Sequence, residues 1–324
     1  IRIDEESHYA IIEPGVSHAQ FASALAKYKL RFSWPVGPPS ASTSSCSISH
    51  GIGGLSGRYG LNSEEITSME VVLPTGELVR VGSCAIQEDA WHSCLPLPRV
   101  DGLFTGWLGT TGVVTKIGLR VHPMPPILKV FTASTENIGH MASYLRTLGN
   151  YEICDDLTGV SWWLSQVPIP YPFTPKPSDA PEWISFATTF SWTEKEKQAR
   201  EEIWRMVVDE ETKKGSSLKE TKYPEEALRA RTQLPSQIVG STKNYTKQGG
   251  AGISWPGTFT PVNKWEPVYE EWKKILIARN LSPSVRVTNY RGVHYGMLRA
   301  MIPFPKKDPE SIENARQAIV ECLK

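Results

Sequence analysis

Cysteine is scarce in this sequence. Five cysteines are scattered over 324 residues, and no two of them form a Cys-x-x-Cys pair. An odd number at wide spacing argues against a disulfide framework and against a thiolate zinc site. The seven histidines form no His-x-His or His-x-x-x-His pair, so we predict no metal site. Scattered free thiols are typical of a reducing compartment, and we predict a cytoplasmic protein.

Long apolar runs and an excess of one charge are also missing. The longest apolar runs, such as ILIA at 275–278, are far shorter than the roughly 20 residues that cross a bilayer. The formal net charge is +1, and no Lys/Arg cluster suited to a phosphate backbone is present, so we predict no nucleic-acid partner. A hydrophobic content of 40% with 21% charged residues is typical of a folded globular protein.

The hydrophobic pattern predicts two domains. A strand at 8–13, an amphipathic helix at 18–29 and a hairpin with arms at 66–74 and 76–82 are expected in the first part. Three prolines at 123–126 make a stiff connector, so we place the boundary there, with domains at 1–125 and 126–324.

The second part predicts an α+β fold. Strands alternate with helices, and this order favours helices laid on one face of an antiparallel sheet. The predicted strands are 127–133, 182–192 and 294–304, and the predicted helices are 135–149 (capped by Thr135), 193–214 and 308–324.

Small side chains are abundant in one place. Between Ser40 and Gly57 nearly every residue is Ser, Ala, Gly, Thr or Cys, and no charge occurs before Arg58. One explanation is a flexible linker. The other is that small residues let backbone N–H groups and hydroxyls approach a phosphate. We favour the second, because the stretch lies between a helix and a strand of one domain.

A second stretch of this kind is GWLGTTGVV at 106–114. Neither stretch contains a Gly-x-x-x-x-Gly-Lys-Ser/Thr phosphate loop or a Gly-x-Gly-x-x-Gly that opens a helix. Together they predict a clamp for an elongated cofactor that carries a polyphosphate.

Four motifs in a fixed order carry a resemblance to a known family. They are IIEPGV at 11–16, the small-residue stretch ending in RYG at 58–60, EVVLPTGELVRVG at 70–82 and DGLFTGWLGTTGVVTK at 101–116. The order resembles the second part of the FAD-binding domain of the FAD-linked oxidases. This is the family of vanillyl-alcohol oxidase and p-cresol methylhydroxylase, with glycolate and D-lactate dehydrogenases as cousins. The motifs cover about 1–125, and 126–324 resembles the family's cap domain only diffusely.

The resemblance implies FAD as the cofactor and assigns its contacts by motif match. In the family, the first stretch supplies backbone N–H and hydroxyl contacts to the flavin diphosphate and ring, and a Tyr-Gly pair closes the turn under the cofactor. The second stretch lines the adenosine or ribityl part. The implied residues are Pro39, Ser42, Ser44, Ser45, Ser49, Gly51 and Gly53, then Tyr59 and Gly60, then Gly109, Thr110, Gly112 and Val114.

Several residues are candidates for catalysis or flavin contact. The run NYRGVHY at 289–295 joins Tyr290, Arg291 and His294. A Tyr or His can take a proton there and an Arg can stabilise an anionic product, or the run is an ordinary strand. His92 is a further catalytic candidate. His50, inside the first stretch, either reaches the flavin or has a structural role. No residue that would link the flavin covalently is identified.

Aromatic residues near 249–259 offer one more feature. Trp255 and Phe259 are predicted either to form a wall over a flat substrate or to pack in the core.

The resemblance also implies that the chain corresponds to a middle portion of family members. The family's first FAD subdomain and its last segment, which carries a Tyr-Arg pair in the phenol oxidases, have no counterpart here. Three interpretations stay open: an excised portion, missing segments supplied by a partner chain or a second copy in a homo-oligomer, or weak FAD binding.

The preferred prediction is an FAD-dependent oxidoreductase. It would transfer a hydride from a small hydroxylated or para-substituted aromatic substrate to flavin N5, with oxygen, a cytochrome or another redox protein as electron acceptor. Two alternatives remain: a 2-hydroxy-acid dehydrogenase, with Arg291 or Arg299 binding the carboxylate, and a non-catalytic or partner-completed flavoprotein subunit.

Overall fold

The computed structural model describes residues 1–33, 39–166, 168–225, 228 and 251–324. The chain divides into two compact units. The first holds the described residues up to Pro125, and the second holds those from Pro126 onward.

The first unit is built on an antiparallel sheet. Its strands are β1 (Arg2–Asp4), β2 (Tyr9–Ile12), β3 (Leu30–Arg31), β4 (Ile66–Val72), β5 (Leu78–Gly82), β6 (Val113–Arg120) and β7 (His122–Pro123). Its α-helices are α1 (His18–Ala26), α2 (Thr43–Ile48) and α3 (Ser56–Tyr59). Five strands form one sheet in the order β1-β2-β6-β4-β5, and β3 pairs with β7 separately.

Helix α1 covers one face of the five-stranded sheet. Ser17 and Gln20 form a capping box at its start, and its apolar side packs Phe21 and Leu25 against Ile12. The hairpin predicted at 66–82 is present as β4 and β5.

His18, the first residue of α1, lies inside this unit. Its side chain is 0% exposed, and its Nδ1 is 3.0 Å from Thr43 Oγ1. Burial disfavours the charged imidazolium and lowers the pKa of His18 from 6.5 to about 4.

This burial predicts a loss of stability in mild acid. Between pH 6.5 and about 4 the unfolded chain binds a proton at His18 that the folded chain does not, so the free energy of unfolding falls as the pH falls through that window. The loss amounts to roughly 3 kcal/mol when complete. Urea denaturation at several pH values measures it. In a His18→Phe variant, which keeps a ring without a titrating group, the free energy of unfolding should depend less on pH between 6.5 and about 4. An unchanged pH dependence in that variant would contradict this account.

The second unit contains a larger antiparallel sheet. Its strands are β8 (Ile127–Thr135), β9 (Asp156–Ser161), β10 (Trp183–Ser191), β11 (Lys219–Glu220), β12 (Ala251–Ser254), β13 (Gly257–Pro261), β14 (Val285–Asn289), β15 (Tyr295–Ala300) and β16 (Ile302–Pro305). Its α-helices are α4 (Ile138–Asn150), α5 (Trp162–Ser165), α6 (Glu194–Lys213), α7 (Trp265–Ala278) and α8 (Pro309–Cys322).

Seven of these strands pair in the order β11-β8-β10-β9-β14-β15-β13, and β12 pairs with β16. Helices α4, α6, α7 and α8 pack on one face of the seven-stranded sheet, against side chains such as Val287 and Leu298. The opposite face carries no long helix among the described residues, and we call it the helix-free face. The predicted α+β fold with an antiparallel sheet is therefore confirmed.

Two boundary predictions were wrong in detail. The strand predicted at 294–304 is broken at Met301, whose N–H donates to Ser284 O, so β15 and β16 join different sheets. Helix α4 starts after Asn137, whose side chain accepts from the His140 N–H, because Thr135 belongs to β8.

Candidate functional site

The first small-residue segment (residues 40–57) is ordered chain inside the first unit. The Ser42 hydroxyl caps α2 by accepting from the Ser45 N–H at 3.3 Å, and it donates to Pro14 O at 2.6 Å. Ser44 is buried, so its small size serves packing. These contacts argue against the flexible linker.

The second small-residue segment (residues 106–114) meets the first. The Gly106 N–H donates to Ile48 O at 2.7 Å. Gly106 has a φ of +82°, and a Cβ there would lie 2.6 Å from His50 Nε2. Only glycine fits this junction without strain, because both the backbone conformation and the neighbouring ring exclude a side chain.

The predicted cofactor residues divide by exposure. Some of these residues are exposed to solvent, and others are half-buried or buried. The exposed ones are Ser45, Ser49, His50, Gly109 and Thr110, the half-buried ones are Pro39, Ser42, Gly51 and Tyr59, and the buried ones are Ser44, Gly53, Gly60, Gly112 and Val114.

Two of the buried glycines have structural explanations. A Cβ on Gly112 would lie 2.7 Å from Val71 Cγ1, and a Cβ on Gly60 would lie 2.4 Å from Glu64 Oε1. Their small size is therefore required by packing whether or not a ligand binds.

Tyr59 is held by a buried polar cluster that the sequence did not reveal. Its hydroxyl accepts from Arg31 Nη2 at 3.1 Å, and its ring stacks on His122 with centroids 3.7 Å apart. His122 Nε2 in turn contacts Glu65 Oε2 at 2.5 Å, and Glu65 is 3% exposed. The pair is 57 residues apart in sequence, so local pattern carried no signal for it.

In the second unit, Tyr290 lies in an aromatic cluster. Its ring centroid is 5.6 Å from that of Phe259 and 5.2 Å from that of Tyr295, and His294 contacts Tyr295 edge-on at 4.6 Å. Phe259 is 51% exposed, so it is at the edge of the cluster rather than in a core. Of the predicted loop at 249–259, which carries Trp255 and Phe259, residues 249 and 250 lie outside the described residues.

Within the run 289–295, residues 290–294 form a turn that joins β14 to β15. Gly292 and Val293 have positive φ, and the Val293 N–H donates to Tyr290 O at 2.9 Å. The side chain of Val293 is buried against Gly149 of α4. A Cβ on Gly149 would lie 2.0 Å from Val293 Cγ1, so the glycine leaves the room that Val293 fills. This contact anchors the turn to α4.

The three other catalytic candidates are exposed. Arg291 and His294 lie on or beside the turn of the second unit, and His92 belongs to the first unit. The structure brings Tyr290 and His294 into one cluster through Tyr295.

An arginine pair on the helix-free face was largely missed by sequence reasoning. Arg286 on β14 is directly opposite Arg299 on β15. Arg286 is 9% exposed, and its Nε donates to Thr288 Oγ1 at 2.9 Å and its Nη2 to Thr158 Oγ1 at 3.3 Å. No ion pair formed among the described residues includes Arg286. In the sequence, the feature that could have indicated this pair is an arginine between two valines, in the run VRV at 285–287.

Electrostatics link this pair to Tyr290. Burial raises the pKa of the Tyr290 hydroxyl, and the charges of Arg286 and Arg299 oppose that rise. The hydroxyl has no hydrogen-bond partner in the described part of the chain. The buried phenol of Tyr290 therefore lies close enough to the guanidinium groups of Arg286 and Arg299 to feel their charge.

The first unit fits FAD on its own geometry. The two small-residue segments adjoin at Gly106, and a Cβ on Gly102 or Gly109 would meet nothing within 4 Å, so the backbone there is open to a ligand. The exposed hydroxyl of Ser49 adds a donor, whereas the exposed Thr110 hydroxyl already donates to Trp107 O at 2.7 Å.

Comparison with known proteins bears on the cofactor and the fold. Residues 1–82 match the model of the FAD binding domain family, and this confirms the predicted FAD-binding domain. Beyond that domain, the chain is similar to FAD-linked oxidases and dehydrogenases.

The relatives include a glycolate oxidase subunit and a 4-cresol dehydrogenase subunit. The chain is 32% identical to the glycolate oxidase subunit GlcD of Bacillus subtilis (strain 168) over 141 residues, 43% of this chain and 28% of that protein. It is 30% identical to the 4-cresol dehydrogenase (hydroxylating) flavoprotein subunit of Pseudomonas putida over 142 residues, 42% of this chain and 26% of that protein.

The fold is similar to that of 4-ethylphenol oxidase from Gulosibacter chungangensis in its isoeugenol complex. The TM-score is 0.79 at 19% sequence identity, over 100% of this chain and 67% of that one. The matched part spans little more than a quarter of the length of the two curated relatives.

Among the described residues, no helix is both long and apolar enough to cross a membrane. The same residues contain no group of three or more His, Cys, Asp or Glu side chains placed to hold a metal ion.

Proposed function

We propose that the protein is an FAD-dependent oxidoreductase acting on a small hydroxylated or para-substituted aromatic compound. In this proposal the first unit holds FAD, and the second unit binds the anionic oxygen of the substrate through Arg286, Arg299 and Tyr290. The arginine pair is the observation that carries the substrate part of the proposal.

Two like charges directly opposite each other on adjacent strands destabilise a sheet. Arg286 and Arg299 have this arrangement on the helix-free face. An anionic group bound beside both guanidiniums would be attracted by the charge of each, and the planar fork of donors on arginine suits a phenolate or carboxylate oxygen.

Tyr290 would act as a hydrogen-bond donor. Because burial raises the pKa of its hydroxyl, the phenol stays protonated at neutral pH and donates to an anionic oxygen. This argues against Tyr290 as the residue that takes a proton from the substrate. The neighbouring rings of Phe259 and Tyr295 would contact an aromatic substrate.

The chain's own residues would bind, orient and neutralise the substrate. When bound, FAD supplies the acceptor for the hydride that leaves a substrate carbon. The electrons then pass to oxygen, a cytochrome or another redox protein.

A second candidate activity is 2-hydroxy-acid dehydrogenation. The same arginine pair suits a carboxylate, and the glycolate oxidase subunit is among the relatives. The aromatic cluster around Tyr290 favours the first candidate.

A substrate screen with a dye as electron acceptor separates the candidates. We expect para-alkylphenols to reduce the dye and lactate and glycolate to leave it unreduced. Reduction by lactate or glycolate alone would contradict the preferred substrate class. No reduction by any of them, in a protein that contains FAD, would favour a non-catalytic subunit.

A further inference from the structure

His50 lies where the two small-residue segments meet. Its side chain is exposed, its Nδ1 is 2.8 Å from Ser63 Oγ, and its Nε2 is beside Gly106. Ser63 is buried, with 7% exposure, so it is a fixed anchor for the ring.

The backbone of His50 has a φ of +53°. This conformation is unfavourable for a residue with a side chain, and such strain is often found at ligand sites. The surrounding segment is rich in glycine, which would adopt the conformation without cost. The imidazole therefore has a use that a glycine at this position would not supply.

The contact with Ser63 involves Nδ1 of His50, which accepts in one neutral tautomer and donates in the other. When the Ser63 hydroxyl donates to Nδ1, the proton of the neutral ring is on Nε2, and in the charged ring both nitrogens carry protons. In these two states Nε2 is a hydrogen-bond donor at the junction of segments whose open backbone suits a phosphate.

We propose that His50 is an FAD-binding residue whose Nε2–H donates to a phosphate oxygen of the cofactor, with Ser63 as the positioning residue that orients the ring. This inference rests on the FAD-binding part of the proposed function. It is independent of the substrate.

Equilibrium binding of FAD and of riboflavin, which has the flavin ring without phosphate, tests the proposal. Fluorescence quenching gives both dissociation constants. His50→Asn should weaken FAD binding about tenfold or more and leave riboflavin binding unchanged, because asparagine tolerates a positive φ but cannot reach as far. Ser63→Ala should weaken FAD binding by a smaller factor.

His8→Asn is the matched control, since His8 in the same unit also has a positive φ, of 54°. It should leave both dissociation constants unchanged. Equal FAD affinity in His50→Asn and the unmodified protein would overturn the inference, as would an equal loss for FAD and riboflavin. If His50→Asn does not fold, Ser63→Ala decides, and unchanged FAD affinity in that variant overturns the inference. An unmodified protein that binds no FAD would overturn the proposed function as well.

Discussion

Arg286→Gln lowers kcat/KM for a para-alkylphenol by about 100-fold or more, if the helix-free face binds the substrate's anionic oxygen. The side chain is buried and held by Thr288 and Thr158, so its charge is fixed in place. Removing the charge takes away a positively charged hydrogen-bond donor for the anion. Steady-state kinetics with a dye acceptor measures the effect.

Arg291→Gln is the control for this prediction. Arg291 is exposed on the turn after Tyr290, and an exposed charge contributes little. We expect a change in kcat/KM of no more than about twofold. A large loss in Arg291→Gln with a small one in Arg286→Gln would contradict the proposed substrate face and favour the turn. Thermal melting of both variants checks that they fold.

Gly106→Ala is expected to have the second large effect, on stability and on FAD binding. A positive φ at alanine costs roughly 1 kcal/mol. The new Cβ, 2.6 Å from His50 Nε2, must also displace the ring and break its contact with Ser63, for roughly 1 kcal/mol more. Urea denaturation gives the free energy of unfolding.

Gly109→Ala separates the two contributions. Gly109 has nearly the same φ, +80°, but a Cβ there meets nothing within 4 Å. The free energy of unfolding of Gly109→Ala should fall only by the cost of a positive φ at alanine. The difference in unfolding free energy between the two variants therefore measures the contact with His50. Equal losses would show that His50 does not restrict position 106.

Local sequence patterns predicted the parts of the fold that local chemistry determines. The turn at Pro74-Thr75-Gly76 follows from Gly76, whose φ is +88°, and the start of α6 follows from Thr193, which accepts from the Glu196 N–H. The ordered motifs likewise predicted the FAD-binding domain, and residues 1–82 match the model of that domain.

The features that were missed depend on contacts between distant parts of the chain. Arg286 faces Arg299 only through the register of β14 and β15, and Glu65 meets His122 across 57 residues. The break at Met301 follows from a bond to Ser284 rather than from any turn residue. The boundary at 125/126, the domain roles and the assigned cofactor contacts stay predictions.

The central claim is that the adjoining small-residue segments bind the diphosphate of FAD. Titration of the flavin-free protein with FAD and with riboflavin tests it most directly. The account predicts saturable binding of one equivalent of FAD, about 100-fold tighter than riboflavin, because each additional charge-assisted contact to phosphate adds affinity. Equal affinity for the two flavins, or no saturable binding of FAD, would contradict it.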